Sequence, residues 1–168
     1  MLSALYDGLE ARVVSDNMST KQVAHLLYHT SPRERIMLLG HGCDGGLLYT
    51  AGGGPLYPSI VNRSHAYQLR RHGSNLVAVW CNADKFAIQC GLHGLFSGMI
   101  VSEMDEAEMY GIATTSDELE REMLKMAKRL RQLLDEGVLL SDIPARMLEL
   151  DDVHSPLTTF NYKNFYYM

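Results

Sequence analysis

Two short, continuous apolar runs constrain the fold of this chain more than any other feature. Ile36–Leu39 ends at the segment Gly40–Gly42, which carries His41, and Leu76–Trp80 ends at Cys81. Apolar runs of this length without polar alternation are typical of parallel strands that are covered on both faces. Helical patterns alternate with these runs, so we predict an α/β fold with a mostly parallel sheet and right-handed crossovers.

Length and composition indicate one globular domain over residues 1–168, since no linker or repeat divides the chain. The net charge of −5 argues against a general nucleic-acid binder, which needs a basic face. No run reaches the ~20 apolar residues that span a membrane, and the first residues lack the features of a secretory signal. We therefore expect a cytoplasmic protein. Its three cysteines are too few for a disulfide framework and are expected to be free thiols.

Turn residues and periodicity predict the remaining elements. Short strands are expected over residues 2–6, 11–15, 47–50 and 98–102, helices over about 20–29, 65–71, 84–89, 116–136 and 141–150, a flexible loop at 52–54, and a strand-like tail over 157–168 that could pair at a sheet edge.

The longest predicted helix begins with a T-x-x-E capping box, Thr115 and Glu118. Its apolar residues recur at intervals of four and three, which places them on one face. That stripe is formed by Leu119, Met123, Met126, Leu130 and Leu133. The pattern predicts packing on the sheet or, alternatively, a homodimer interface.

A histidine and a cysteine at two strand ends suggest nucleophilic chemistry. A free thiol has a pKa of about 8.5, and a neighbouring imidazolium lowers it and yields a thiolate. The carboxyl ends of adjacent parallel strands can hold two such side chains close together, because neighbouring strands lie ~4.8 Å apart. We expect Gly40 and Gly42 to leave room for a substrate backbone. The N–H groups of Gly42 and Cys81 are candidate donors to an oxyanion.

The spacing of these motifs resembles that of a known family. An apolar strand ending in His-Gly, followed 40 residues later (81 − 41) by a second apolar strand ending in Cys, is similar to the caspase-like cysteine peptidases of clan CD. This group includes caspases, legumains, gingipains, clostripain, separase and the bacterial CHAT domains. The resemblance extends from about Ile36 to Ser102, and parts of it also look like small bacterial proteins. It implies a three-layer α/β/α sandwich.

The same resemblance implies roles for individual residues. Cys81 would be the nucleophile, His41 the general base or acid, and Gly42 a contributor to the oxyanion hole. The substrate would be a peptide or protein, and no cofactor or metal is expected. One departure is Trp80, which stands immediately before Cys81 where these families usually have a small residue.

The resemblance also implies a substrate pocket. In such folds the strand after the cysteine helix commonly lines the pocket for the residue before the cut. Here that strand ends at Ser102, Glu103 and Asp105, which implies binding of Arg or Lys. The alternative is that these residues are simply the acidic start of a helix.

Two other functional classes stay open. The chain could be a non-catalytic, caspase-like binding or regulatory module that acts through its long helix and aromatic tail. It could also bind zinc, because several soft ligands occur, although their spacing matches no common zinc finger. The candidate ligands are His41, Cys43, Cys81, Cys90 and His93. A metal role for His25 and His29, one helical turn apart, is a further alternative without a third ligand nearby.

Overall fold

The structure is a computed structural model and describes residues 2–14, 18–49 and 59–168. The chain divides into two compact units. Unit 1 comprises Met1–Ala11 and Met99–Phe165, and unit 2 comprises Arg12–Gly98 and Tyr166–Met168. The single domain expected over residues 1–168 stays a prediction beside this division. Among the described residues, no helix is both long and apolar enough to cross a membrane.

Unit 2 contains both strands and helices, and unit 1 is mostly helical. The strands are β1 (Ile36–Leu39), β2 (Gly42–Cys43), β3 (Gly46–Leu48), β4 (Ser59–Asn62), β5 (Leu76–Val79), β6 (Leu95–Ser97) and β7 (Phe165–Tyr167). The helices are α1 (Thr20–His29), α2 (Ala66–Arg70), α3 (Ala83–Cys90), α4 (Met104–Met109), α5 (Ser116–Asp135), α6 (Ile143–Leu150) and α7 (Pro156–Lys163).

The main sheet has the strand order β1-β5-β6-β7. The pairs β1–β5 and β5–β6 are parallel, so the predicted α/β class with a mostly parallel sheet is confirmed. Gly94 and Met168 exchange two backbone hydrogen bonds of 2.9 and 3.1 Å, the pattern of an antiparallel pair. The tail therefore does pair at a sheet edge, as predicted. All four residues of β5 are buried, which agrees with its continuous apolar sequence.

A second, antiparallel sheet follows β1 directly, in the order β2-β3-β4. Its close packing depends on Gly46, which has a φ of +137°. A Cβ on this residue would lie 3.0 Å from the carbonyl carbon of Val61, so only glycine fits. The hairpin that carries Gly42 and Cys43 is thereby held against β4. The predicted strand over 47–50 begins one residue earlier, and Thr50 and the predicted loop at 52–54 lie outside the described residues.

The predicted helices of unit 2 are present with small shifts. Ser19 caps α1 through a reciprocal capping box with Gln22. A 3₁₀ turn, Arg63–His65, precedes α2 and is capped by the Asn62 side chain. α3 ends at Gly91, whose φ of +59° stops the helix.

The apolar stripe of α5 is the centre of unit 1. Its five residues are at most 5% exposed, and α5 packs against α6, α7 and the 3₁₀ helix Leu2–Leu5. Thr115 caps the helix by accepting a hydrogen bond from the Glu118 N–H (3.2 Å). The second half of the predicted box is absent between these two residues, because the Glu118 carboxylate accepts from the Thr114 hydroxyl instead. Since the single chain already buries the stripe, a homodimer would have to use another surface.

The prediction of strands over residues 2–6 and 11–15 is wrong. Leu2–Leu5 is a 3₁₀ helix, and 11–14 form no regular element; residue 15 lies outside the described part of the chain. The reason is a set of tertiary contacts with a distant part of the chain. Leu5 is fully buried, and Arg131 of α5 donates to the carbonyls of Leu5 (3.3 Å) and Asp7 (3.1 Å). These carbonyls are satisfied by a side chain and need no strand partner.

The strand predicted over 98–102 is also wrong, since β6 ends at Ser97. The backbone of Val101 bonds instead to the side chain of Asn161, which accepts from the Val101 N–H (2.8 Å) and donates to its carbonyl (2.9 Å). An amide side chain can replace a neighbouring strand in this way, and the apolar run does not reveal where the exchange occurs.

Most of the strand-like tail is helical. Ser155 caps α7 through a box with Thr158, and Pro156 occupies the first turn, where its missing N–H costs nothing. Only Phe165–Tyr167 is a strand. These local start signals outweigh the strand propensity of the aromatic and β-branched residues that follow.

Candidate functional site

His41 and Cys81 follow the carboxyl ends of two paired parallel strands, β1 and β5. The last pair of the two strands is Leu39 with Val79, and the Gly40 N–H continues the ladder with a 3.2 Å bond to the Val79 carbonyl. His41 and Cys81 each stand two residues beyond that last pair. The 40-residue spacing noted in the sequence is therefore equal to the offset between paired residues of the two strands.

The two side chains are both accessible. His41 is exposed and Cys81 is half-buried, whereas Cys90 is buried and Cys43 is exposed. None of the three cysteines, all within the described residues, forms a disulfide. Burial raises the pKa of the Cys90 thiol, an effect that the charges of nearby arginines only partly offset. Cys90 is therefore the least reactive thiol expected and a natural reference for Cys81.

Cys81 lies in a tight turn from strand to helix. The next residue, Asn82, has left-handed backbone angles (φ 68°, ψ 31°), and its N–H bonds to the Gly98 carbonyl (3.1 Å). Asparagine tolerates this region better than most residues, so the turn is only mildly strained. α3 begins at Ala83, which puts Cys81 just before the positive end of its dipole, a position that favours a thiolate.

A buried serine holds the end of β5. The Ser97 hydroxyl accepts a hydrogen bond from the Trp80 N–H (3.0 Å) and donates one to the Trp80 carbonyl (2.8 Å). Ser97 is fully buried and lies on the neighbouring strand, β6. It fixes the backbone immediately before Cys81. Sequence reasoning missed this serine and the turn at Asn82, because neither carries a periodic signal.

The indole of Trp80 fills the space beneath the β2–β3 hairpin. A Cβ on Gly42 would overlap this ring, at 2.6 Å from Trp80 Cγ, and would lie 2.8 Å from the Gly46 carbonyl oxygen. The indole N–H donates to the Cys43 carbonyl (3.0 Å), and the ring packs edge-on against Phe86. Trp80 thus accounts for the glycine at position 42 without any substrate.

The Gly42 N–H nevertheless points away from β3. The Leu48 N–H donates to the His41 carbonyl (2.9 Å), so these two residues form a hydrogen-bonded antiparallel pair. The following pair, Gly42 with Leu47, is then of the non-hydrogen-bonded type. The backbone N–H of Gly42 is therefore not used by the hairpin.

Gly40 is required by backbone geometry. Its φ is +150°, and a Cβ there would lie 3.2 Å from Leu47 Cδ1. The chain turns from β1 into the second sheet at this residue. The predicted role of Gly40 in admitting a substrate stays a prediction.

The three proposed pocket residues belong to unit 1, at the start of α4. The Glu106 carboxylate accepts hydrogen bonds from the backbone N–H groups of Ser102 (2.7 Å) and Glu103 (3.1 Å). Glu103 is the N-cap, and its side chain and that of Asp105 are exposed. The alternative interpretation, an acidic helix start, is thus present in the structure. A role in binding substrate stays a prediction.

The candidate metal ligands are not gathered into a site. Within residues 2–14, 18–49 and 59–168, no three His, Cys, Asp or Glu side chains are placed to hold a metal ion. The rings of His25 and His29 are adjacent, with centroids 4.3 Å apart, but among the described residues no third ligand of these types completes a group there. The geometry offers the zinc interpretation no support.

Comparisons with protein-family models, with curated proteins and with solved structures found no match to this chain.

Proposed function

We propose that this chain is a caspase-like cysteine hydrolase that cleaves peptide bonds with a dyad of His41 and Cys81. The observation that carries the proposal is the β1–β5 register, in which His41 and Cys81 each follow the last strand pair, Leu39 with Val79, by two residues. In open α/β sheets, functional groups collect at that edge. A three-layer α/β/α arrangement, a reducing cytoplasmic location and the absence of a cofactor are parts of the same proposal.

The reaction would proceed through an acyl-thioester. The Cys81 thiolate attacks the carbonyl carbon of the scissile bond, and the carbonyl π electrons move to oxygen. Collapse of this intermediate breaks the C–N bond, and the His41 imidazolium protonates the leaving amine. Water then loses a proton to neutral His41 and attacks the thioester. The C–S bond breaks, which releases the carboxylic acid and restores the thiolate–imidazolium pair.

The oxyanion would be stabilised by backbone N–H groups. Gly42 is a suitable donor, since the hairpin does not use its N–H. Cys81 supplies the second candidate donor. Such preorganised donors act where water is excluded, and the removal of one typically costs ~10²–10³ in turnover rate.

The first test is the rate of Cys81 alkylation against pH, read by mass spectrometry on the intact chain. We expect an inflection well below the ~8.5 of a free thiol, and its disappearance in His41→Ala. The variant His93→Ala, another exposed histidine of unit 2, is the matched control and should leave the profile unchanged. Cys43 and Cys90 report the behaviour of an exposed and a buried thiol. A Cys81 that reacts no faster than Cys43, indifferent to His41, contradicts the proposal.

A basic cleavage preference is the second part of the proposal, based on Glu103 and Asp105. Reporter peptides ending in Arg, Lys, Asp or Ala before the cut would measure it. Faster cleavage after Arg and Lys supports the preference. Equal cleavage of all four peptides contradicts the preference but not the proposed His41–Cys81 dyad.

One observation favours a second candidate, a non-catalytic scaffold. Trp80 fills the space that a substrate backbone was expected to use near Gly42. A regulatory or binding module would keep this packed hairpin and need no reactive thiol. An inert Cys81 together with a stable homodimer or partner complex, measured by light scattering, would select this candidate.

A further inference from the structure

The two units of the chain carry opposite charge. Unit 2 holds 8 of the chain's 15 Lys and Arg residues but 4 of its 20 Asp and Glu residues, which leaves 7 and 16 in unit 1. The formal charges are therefore +4 (8 − 4) and −9 (7 − 16), which sum to the whole-chain value of −5. The whole-chain charge of −5 argued against a nucleic-acid binder, but it is the sum of one positive and one negative unit and does not describe unit 2.

The basic charge of unit 2 is concentrated on a face formed by α1 and α2. Neither helix, nor the turn Arg63–His65 that leads into α2, contains a single Asp or Glu. The exposed ridge of α1 carries Lys21, His25 and Tyr28 at the i, i+4, i+7 spacing of one helix face. The Arg63–Arg71 segment has the same spacing with Arg63, Tyr67 and Arg70. We call these residues the basic face: Lys21, His25, Tyr28, Arg63, Tyr67, Arg70 and Arg71.

Two buried histidines hold the two ridges side by side. His65 bonds to the Thr20 carbonyl (3.0 Å) and His72 to the Leu27 carbonyl (3.3 Å). Both imidazoles are completely buried. Because both the histidines and the carbonyls are seven residues apart, the segments run alongside each other for two helical turns. The basic face is therefore rigidly supported.

The arginines of the basic face are held in place by neutral oxygen atoms. Each arginine donates one hydrogen bond. Arg63 Nη2 donates to Gln89 Oε1, Arg70 Nε to the Cys90 carbonyl (2.9 Å), and Arg71 Nη1 to the Tyr28 carbonyl (2.8 Å). Each bond uses one of five guanidinium N–H groups and neutralises no charge. The forks are thus preorganised for an anion with little further loss of side-chain entropy.

Two exposed tyrosines lie among these cations. Tyr28 is 52% and Tyr67 67% exposed, and the Arg71 guanidinium lies 5.1 Å from the centre of the Tyr28 ring. Cations that alternate with accessible aromatic rings are the combination that binds single-stranded nucleic acids, through phosphates and base stacking respectively.

We propose that the basic face binds single-stranded RNA or DNA without strong sequence preference. The phosphates contact Arg63, Arg70, Arg71 and Lys21, and bases stack on Tyr67 and Tyr28. A membrane is the poorer fit, because the only large apolar side chains exposed on the described parts of α1 and α2 are these two tyrosines. An acidic protein would use the cations but has no need of stacking rings. The proposal is independent of the dyad, and Cys81→Ala should bind as the parent does.

The test is fluorescence anisotropy of the full chain with labelled oligo(U) and oligo(dT) of about 12 nucleotides. With about four phosphate contacts, we expect log Kobs to fall with log salt at a slope of roughly −3. Tyr67→Ala should weaken binding about fivefold or more, while Tyr67→Phe keeps it. Because Tyr67 is mostly exposed, neither substitution should unfold the chain, which circular dichroism would verify.

The charge of the basic face has its own matched control. Arg71→Gln should reduce the salt slope by about 0.7. Lys128→Gln removes the same charge from an exposed position of unit 1 and should change nothing. Three outcomes overturn the proposal: no binding at about 20 mM salt, binding that is indifferent to Tyr67→Ala, and equal competition by poly-glutamate or by anionic vesicles. Equal competition by poly-glutamate would assign the face to an acidic protein, and equal competition by anionic vesicles would assign it to a membrane.

Discussion

Gly42 is the residue at which the demands of packing and of the proposed chemistry meet. Its Cα rests against the Trp80 indole, and its N–H points away from β3. A side chain at this position would displace Trp80, which is 2% exposed and hydrogen-bonded to the Cys43 carbonyl. The residue is therefore fixed by sterics before any substrate is considered.

We expect Gly42→Ala to destabilise the fold by about 1–3 kcal/mol, the range for overpacking a filled site. Urea unfolding followed by the fluorescence of Trp80, the only tryptophan of the chain, would measure it. Gly45→Ala is the matched control, since a Cβ there meets only Cys43 Sγ at an ordinary 3.4 Å. It should cost less than about 0.5 kcal/mol. Equal effects at both positions would refute the steric argument.

Asp152 is the most strongly perturbed carboxylate in unit 1. The ammonium of Lys125 (2.6 Å) and the guanidinium of Arg129 (2.8 Å) donate hydrogen bonds to it, in that order of importance, and hold its pKa well below the usual range. A depressed folded-state pKa stabilises the fold above the unfolded value of about 3.9. That contribution is lost as the pH falls below it.

Asp152→Asn should therefore lower the thermal midpoint at pH 7, and the difference from the parent should shrink as the pH falls below about 4. Calorimetry between about pH 2.5 and 7 would follow it. Glu120→Gln removes a carboxylate from an exposed position of α5 and serves as the control. A difference that is constant with pH would show that ionisation of Asp152 does not contribute.

At the scale of elements, α5 is stabilised by the burial of its apolar stripe, and β1 and β5 are stabilised by pairing with each other. The stripe follows from helical periodicity alone, and it is buried against α6, α7 and the 3₁₀ helix Leu2–Leu5, while its predicted packing on the sheet stays a prediction. The neighbours that bury it were not predictable. The 3₁₀ helix Leu2–Leu5 packs on α5 from more than a hundred residues away in the chain. Periodicity predicts which face of a helix is apolar but does not predict which element packs against that face.

Leu130→Ala should destabilise the chain by about 2–5 kcal/mol, because Leu130 is 1% exposed and its removal leaves a cavity. Leu124→Ala, on the same helix but 37% exposed, should cost much less. Chemical denaturation followed by circular dichroism at 222 nm compares the two. Similar losses would mean that the packing of the stripe contributes little to stability.

At the scale of the whole molecule, charge is distributed by unit. The composition shows only a mildly acidic chain, whereas its division places an excess of carboxylates in unit 1 and of basic groups in unit 2. Such separation lets an acidic protein present a local positive potential, which attracts polyanions over about a Debye length. The basic face and the His41–Cys81 strand ends both belong to unit 2.

The sequence alone determined those features of this protein that depend on neighbouring residues along the chain. Caps and stops at Ser19, Thr115 and Gly91, the apolar strands β1 and β5, and the face of α5 all follow from local geometry and periodicity. Only the tertiary structure decided which strands pair, in which register, and which side chains replace strand partners. Asn161 satisfies Val101, and Trp80 closes on Gly42, through contacts between distant segments. Such contacts leave no periodic signal, because their energy depends on the packing of the whole fold.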